Sequence, residues 1–337
     1  MRHARRRLVV AAATIASISL LTAGCADETA TESASSEPAP VETPAPEPEP
    51  DPAPEPEPDD GFPLVDYEVY GRTLTLESRP ERIVSLSPSS TEGLFAIGAG
   101  PQVVAVDEYS DFPAEAPTTD LSGFTPNVEA IVAYDPDLVV VSYDPGDLVA
   151  SLEATGVPVL ILDAAVDVDG ALAQLGVLGT VTGNTNTATD VIRTLEDRID
   201  AAVAAVPQLA ETPTYFHLVD TTLFTVTSDT FIGSVYGLFG LENVADPADP
   251  DGEAFGYPQL SAEFLVDADP DLVFLAGTDP DTFAGLPGLG GLRAVDDGNV
   301  FPLPPDVPSR WGPRIVEFVE AVGAAVTELA GAEPDAA

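Results

Sequence analysis

An α/β chain of two lobes, each built on a central, largely parallel sheet and joined by one long α-helix, is what this sequence predicts, on three observations. Short runs of aliphatic residues alternate with helical patterns across short loops from position 62 onward, the pattern of open parallel sheets. The segment Asn127 to Val140 recurs as Ser261 to Phe274, with the same residue at Glu129 and Glu263 and throughout 135–139 against 269–273. Such a duplication points to two related structural units. Between the copies, Asn186 to Val206 carries Val191, Leu195, Ile199, Val203 and Val206 near helical spacing, which predicts a rod roughly 30 Å long at 1.5 Å per residue.

The elements follow in order. Leu64–Tyr70 and Arg72–Glu77 alternate about Gly71 and read as a hairpin. Arg82–Leu86 is a buried strand, Glu92–Ile97 begins a helix that ends in the glycines at 98 and 100, and Val103–Val106 is the next strand. Val128–Tyr134 is a short helix, Leu138–Ser142 a strand, Leu148–Ala154 a helix and Val159–Leu162 a strand. Asp169–Thr182 is a helix leading into the rod. The alternation resumes through Tyr215–Val219, Phe231–Phe239, Phe264–Ala268, Leu272–Leu275 and Asn299–Leu303. The expected boundaries are an N-terminal lobe at 62–167, connecting helices at 168–207 and a C-terminal lobe at 208–333.

The first 24 residues have the three parts of a signal peptide: arginines at 2, 5, 6 and 7, an apolar stretch from Leu8 to Leu21, and small residues before Cys25. The apolar stretch is shorter than the ~20 residues that span a bilayer as a helix. Cys25, the single cysteine, stands where the run LTAGC resembles a bacterial lipobox, so it is the expected lipidation site and membrane anchor. Residues 25–61 are rich in Pro, Glu and Ala, cannot bury apolar surface, and predict an extended tether. All 57 acidic residues lie beyond the signal region, and four of the 12 basic ones lie within it; the chain has no lysine. A nucleic-acid partner and a lysine-dependent phosphate loop are thereby excluded.

The runs PERIVSLSPSSTEGLFAIGAG (80–100), YSDFPAEA (109–116) and RWGPRI (310–315), with the two Glu-containing repeats, resemble the class III periplasmic-binding proteins, the metal-chelate receptors whose lobes share one long helix. The likeness covers Val69 to Val326. It implies an extracytoplasmic substrate-binding protein of an ABC importer, monomeric and not an enzyme, with no resident cofactor. The implied cargo is a metal chelate in the inter-lobe cleft: a ferric siderophore first, cobalamin or haem next. The corrinoid-binding members carry tryptophans where this chain has Phe124 and Tyr257, which is why a siderophore is placed first.

The resemblance places Glu129 and Glu263 against arginines of the permease. Read from the residues alone, each carboxylate also sits in the first turn of a helix capped by Asn127 or Ser261, where the helix dipole stabilises it by about 0.3–1 kcal/mol. Both readings stand at this point. Tyr109, Phe124 and Tyr257 match positions that pack on ligand, and Tyr109 is a possible axial oxygen for haem iron. Ser89 and Ser90 precede a helix and offer hydroxyls to an anionic group, or serve as its N-cap. Arg310 is expected to present its guanidinium to an anionic siderophore, whereas Arg314 is expected to pair with a carboxylate. Trp311 lines the cleft or caps the core. His217, in a strand, reads as a satisfied core histidine, and no cluster of metal ligands can be assembled.

Two rival classes remain open on sequence. A secreted hydrolase would need a nucleophile elbow, which is lacking, and would have one histidine beyond the signal region. A non-transport surface lipoprotein would need neither two lobes nor paired glutamates.

Overall fold

Two four-stranded sheets of the same topology organise the computed structural model, which describes residues 61–332. A hairpin of β1 (Leu64–Val69) and β2 (Arg72–Leu76) precedes them. In the first sheet, β3 (Ile83–Leu86) is followed by α1 (Pro88–Ala96), β4 (Val103–Val106), α2 (Val128–Val132), β5 (Leu138–Val141), α3 (Leu148–Glu153) and β6 (Val159–Ile161). Helices α4 (Val168–Val181) and α5 (Thr185–Ala205) then lead to the second sheet. Its elements are β7 (Thr214–Leu218), α6 (Phe231–Gly237), β8 (Glu242–Asn243), α7 (Ala262–Ala268), β9 (Leu272–Ala276), α8 (Pro280–Ala284), α9 (Arg293–Asp296) and β10 (Val300–Leu303), and α10 (Ile315–Ala332) ends the fold. The strand orders are β4-β3-β5-β6 and β8-β7-β9-β10, every pairing parallel. In both, the first strand of the unit lies beside its second and third.

The duplicated segment supplies the same parts to each sheet. Asn127 and Ser261 cap α2 and α7 by accepting from the amides of Ala130 and Phe264. Asp135 and Asp269, at the ends of those helices, both take the left-handed conformation, with φ of 51° and 41°. Asp137 then accepts from the amides of Glu81 and Arg82, and Asp271 from the amide and hydroxyl of Thr214. Each aspartate thus pins its central strand, β5 or β9, to the first strand of its own sheet.

Strand alternation divides the core. Val84, Leu86, Val139 and Val141 pack on one face of the first sheet, and Phe216, Leu218, Val273 and Leu275 on one face of the second. The opposite faces, through Ile83, Leu138, Tyr215 and Phe274, join one continuous core that includes Leu175 of α4, Leu195 and Ile199 of α5, and Phe318 and Val322 of α10. The rod therefore lies packed along its apolar stripe, with Arg198 held to Glu320 of α10 at 2.8 Å. The predicted elements recur with ends shifted by a few residues. The largest shift is in α1, which starts at Pro88, four residues before the expected Glu92. Its N-cap is Ser87, and neither Ser89 nor Ser90, because proline is suited to the first helical position.

The signal peptide, Cys25 and the tether lie outside the described residues. Among the described residues, no helix is long and apolar enough to cross a membrane.

Candidate functional site

In an open parallel sheet, ligand space lies beyond the carboxyl ends of the strands, where connections leave in opposite directions. Both sheets meet that rule here. Beyond the first lies a cavity of about 790 Å³ whose lining includes Ser87 after β3, Asp107 and Tyr109 after β4, Tyr143 after β5 and Asp163 after β6. Beyond the second lies a cavity of about 300 Å³, bordered by His217, Val219, Phe231, Tyr257, Ala276 and Pro305. Ala164, Ser309 and Trp311 line both, so the two spaces are halves of one cleft.

Aromatic side chains form its wall. Tyr109 meets Phe124 edge to face at 5.7 Å between centroids, and Phe124 lies 6.5 Å from Tyr143. Tyr109, Phe124 and Tyr143 are all exposed and touch one another, forming a contiguous aromatic patch of the kind that marks a binding surface, and Tyr257 is exposed on the other half. Phe124 and Tyr257 each follow a glycine at a close approach. A Cβ on Gly123 would stand 2.6 Å from the carbonyl oxygen of Leu86, and one on Gly256, at φ +80°, 2.5 Å from the methyl of Thr230. Both loops need glycine to carry an aromatic residue to the cleft. Trp311 does both things that the sequence leaves open: it lines the cleft and packs edge-on against Phe231 at 6.4 Å.

Beneath the wall runs a polar chain. Thr91 Oγ1 lies 2.8 Å from Ser85 Oγ and 3.0 Å from Ser110 Oγ, and Ser110 donates to Asp107. Burial pushes the Asp107 carboxyl up from its ordinary range, against the lowering effect of Ser110. Ser89 is on the lining, but Ser90 is buried within α1 and away from it.

Arg310 departs from expectation. It borders the cleft, but its Nη1 is held by Glu92 at 3.2 Å and Asp111 at 2.9 Å, and its Nη2 by the Tyr109 carbonyl at 3.0 Å and Asp306 at 3.3 Å. Three carboxylates already answer its charge, so it is a poor receiver for an anionic chelate. Arg314 pairs with Glu92 through Nε at 3.0 Å, as its sequence position suggested, and that hydrogen bond favours its charged form. Glu92, Asp107, Asp111, Tyr143, Asp163 and Asp306 were not singled out from sequence. The rule that ligands sit at strand carboxyl ends points to Asp107, Tyr143 and Asp163; nothing local marks the other three.

His217 is buried, with Nδ1 2.8 Å from Tyr236 Oη, but its Nε2 has no hydrogen-bond partner among the described residues. It is thus half satisfied. Desolvation holds the imidazole neutral, with its pKa lowered to about 3. A folded-state pKa below the unfolded value of about 6.5 means that the unfolded chain binds the extra proton, so stability is lost as pH falls from about 6.5 toward 3. Between pH 7 and pH 5 His217 should remove about 2 kcal/mol of unfolding free energy. Urea titrations at both pH values should show that loss in the wild type and not in His217→Phe; equal losses would refute it.

Glu129 and Glu263 are both exposed, on the first turns of α2 and α7. Each helix follows in sequence the loop that carries Phe124 or Tyr257. Among the described residues, no three His, Cys, Asp or Glu side chains converge as a metal site.

A cleft at the carboxyl ends of two matching parallel sheets, with a long helix between them, defines a two-lobed binding protein. The chain belongs to the periplasmic binding protein family, whose profile it matches over residues 83–307. It is 32% identical over 270 residues to the "Cobalamin-binding protein" of Halobacterium salinarum, covering 76% of this chain and 72% of that one. It is 24% identical over 275 residues to the "Uncharacterized ABC transporter substrate-binding lipoprotein YvrC" of Bacillus subtilis, covering 79% and 86%. The crystal structure of the periplasmic vitamin B12 binding protein BtuF of Vibrio cholerae superposes with a TM-score of 0.63 at 25% identity, covering 75% of this chain and 99% of that one. The fold is that of the class III receptors.

Proposed function

We propose that this protein is the extracytoplasmic receptor of an ABC importer and that its cargo is an uncharged or cationic metal chelate of the corrinoid class. The observation that carries the choice is the charge of the cleft. Asp107, Asp163 and Asp306 lie on its lining, and Arg310, the one cation there among the described residues, is taken by Glu92, Asp111 and Asp306. A ferric catecholate or the propionates of haem would bring negative charge to carboxylates in a partly desolvated space, where like charges raise the free energy most. A corrinoid has a broad apolar ring for Tyr109, Phe124 and Tyr257 and uncharged amides at its edge for Ser89 and the aspartates. The name of the Halobacterium relative supports the same class. An anionic siderophore, first on sequence grounds, falls behind because the expected arginine fork is engaged, and the name of the Halobacterium relative is what sets a corrinoid ahead of an uncharged hydroxamate.

Cys25 is the proposed lipid anchor and residues 25–61 the tether, a reading that the name of the Bacillus relative supports. The proposed lobes, 62–167 and 208–333, each bring one glutamate, Glu129 and Glu263, to the permease.

Thermal unfolding should separate the cargo classes. At 100 times its dissociation constant a ligand stabilises by about 2.7 kcal/mol, a shift of several degrees for a domain this size. Cyanocobalamin should give that shift, and haem or a ferric catecholate should not. A response to the anionic chelates alone would overturn the charge argument. Silence from all, ferric hydroxamates included, would favour the non-transport surface role.

A further inference from the structure

The hydroxyl chain beneath the aromatic wall ends on Asp107, and a count of its protons fixes which carboxylate oxygen is engaged. An ionised Asp107 has no proton to give, so Ser110 donates its own to Oδ1. The Ser110 oxygen then accepts from Thr91, and Thr91 accepts in turn from Ser85. Ser85, Thr91 and Ser110 are all buried, and aligned hydroxyls of this kind polarise one another toward the charge at the end of the chain. The reverse order needs a protonated Asp107 and ends on a long contact, 3.4 Å from Ser85 Oγ to the Ser87 carbonyl. Oδ2 is an acceptor in both.

That second oxygen is the one the fold leaves open. Among the described residues, Oδ2 accepts from no other residue, yet it is not one of the fully buried side-chain atoms that lack a partner. Part of the small surface that Asp107 keeps, 3%, therefore belongs to Oδ2. The residue lines the larger half of the cleft beside Gly123 and Phe124. A Cβ on Gly123 would stand 3.3 Å from Oδ2, so the glycine that the Leu86 carbonyl requires also keeps the approach to this oxygen clear. A carboxylate with so little water gains most from a donor that arrives with the cargo. The other two acids on the lining are placed differently: Asp306 is paired with Arg310, and Asp163 is exposed.

We propose that Asp107 is a specificity-determining residue of the cleft: its Oδ2 accepts a hydrogen bond from a primary amide N–H at the edge of the cargo, and it selects against a cargo that carries a carboxylate at that place. The proposal rests on the corrinoid reading above and adds to it the accepting atom and the group that it recognises. A carboxylate brought to Oδ2 would place two like charges together in a partly desolvated space, whereas an amide brings the hydrogen that this oxygen lacks.

The probes are cyanocobalamin and its monocarboxylic acids, in each of which one peripheral primary amide is hydrolysed, with affinities read by titration calorimetry on the full chain. Wild type should bind at least one of the acids about 10- to 100-fold more weakly than cyanocobalamin, the range for a hydrogen bond to a charged group. Asp107→Asn keeps an oxygen for Ser110 and turns an amide to the cleft. It should lose that discrimination, binding cyanocobalamin more weakly than wild type does and the disfavoured acid at least as tightly. Asp107→Ser should also lose it, and thermal unfolding shows whether each variant is folded. If Asp107 only anchors the hydroxyl chain, amide and acid weaken by the same factor in the variants; that result would overturn the proposal and leave the receptor reading standing. Wild type binding every acid as tightly as cyanocobalamin would overturn it without any variant. No saturable binding of cyanocobalamin would overturn the corrinoid reading and this proposal together.

Discussion

Replacing Glu92 by alanine should remove about 3–5 kcal/mol of stability, the range for breaking a buried ion pair and stranding its partner. Glu92 is 2% exposed, on α1 beside the first sheet, and its carboxylate serves Arg310 and Arg314, which precede α10. The side chain of Arg310 is 8% exposed and that of Arg314 15%. Removing the acid leaves two guanidinium groups with little water to replace it, though Asp111 and Asp306 still face Arg310. The contact also ties the N-terminal sheet to a helix whose core residues pack with Tyr215 and Phe274 of the other sheet. The loss should therefore appear as one lowered midpoint in urea with an unchanged slope. A loss below about 1 kcal/mol, the level of an exposed pair, would show that solvent reaches the network.

The second large effect concerns transport. Exchanging Glu129 and Glu263 together for alanine should abolish import while leaving chelate affinity within a factor of about two. Both side chains are exposed and neither lines the cleft. Charge complementarity between partners governs encounter and register, so losing both contacts should uncouple a loaded receptor from its permease. The alternative reading, helix-dipole compensation, predicts a different result: about 0.3–1 kcal/mol less stability per site and normal uptake. Measuring uptake, affinity and unfolding on the same variant distinguishes them, and unchanged uptake would end the docking proposal.

Much of this was legible because it is local. The repeat carries its own caps in Asn127 and Ser261 and its own turn aspartates at 135 and 269, and so dictates the same helix, turn and strand wherever it occurs. Val191, Leu195 and Ile199 declare a stripe that must be buried, and the structure buries it against α4 and α10. The Gly123-Phe124 and Gly256-Tyr257 steps, by contrast, show their need for glycine only in the fold, where Leu86 and Thr230 crowd the two positions. The start of α1 was misplaced although Ser87-Pro88 is a good N-terminal signal, because the serines that follow offered competing caps.

What the residues alone could not decide was which charges find each other. Arg310 and Glu92 are 218 positions apart, and no periodicity or spacing relates them; only the packing of α1 beside the segment before α10 makes them partners. That pairing makes Arg310 a bridge between α1 and the segment before α10 and leaves the cleft lining with Asp107, Asp163 and Asp306, the ground on which a corrinoid is proposed ahead of an anionic siderophore. His217 shows the same division. Its strand predicted a satisfied buried imidazole, but the tertiary packing brings Tyr236 to one ring nitrogen and leaves the other buried without a partner among the described residues. Hydrophobic period and capping act over a few residues and so belong to the sequence, whereas the electrostatic and hydrogen-bonding balance of the site depends on groups that share no stretch of chain and belongs to the tertiary structure.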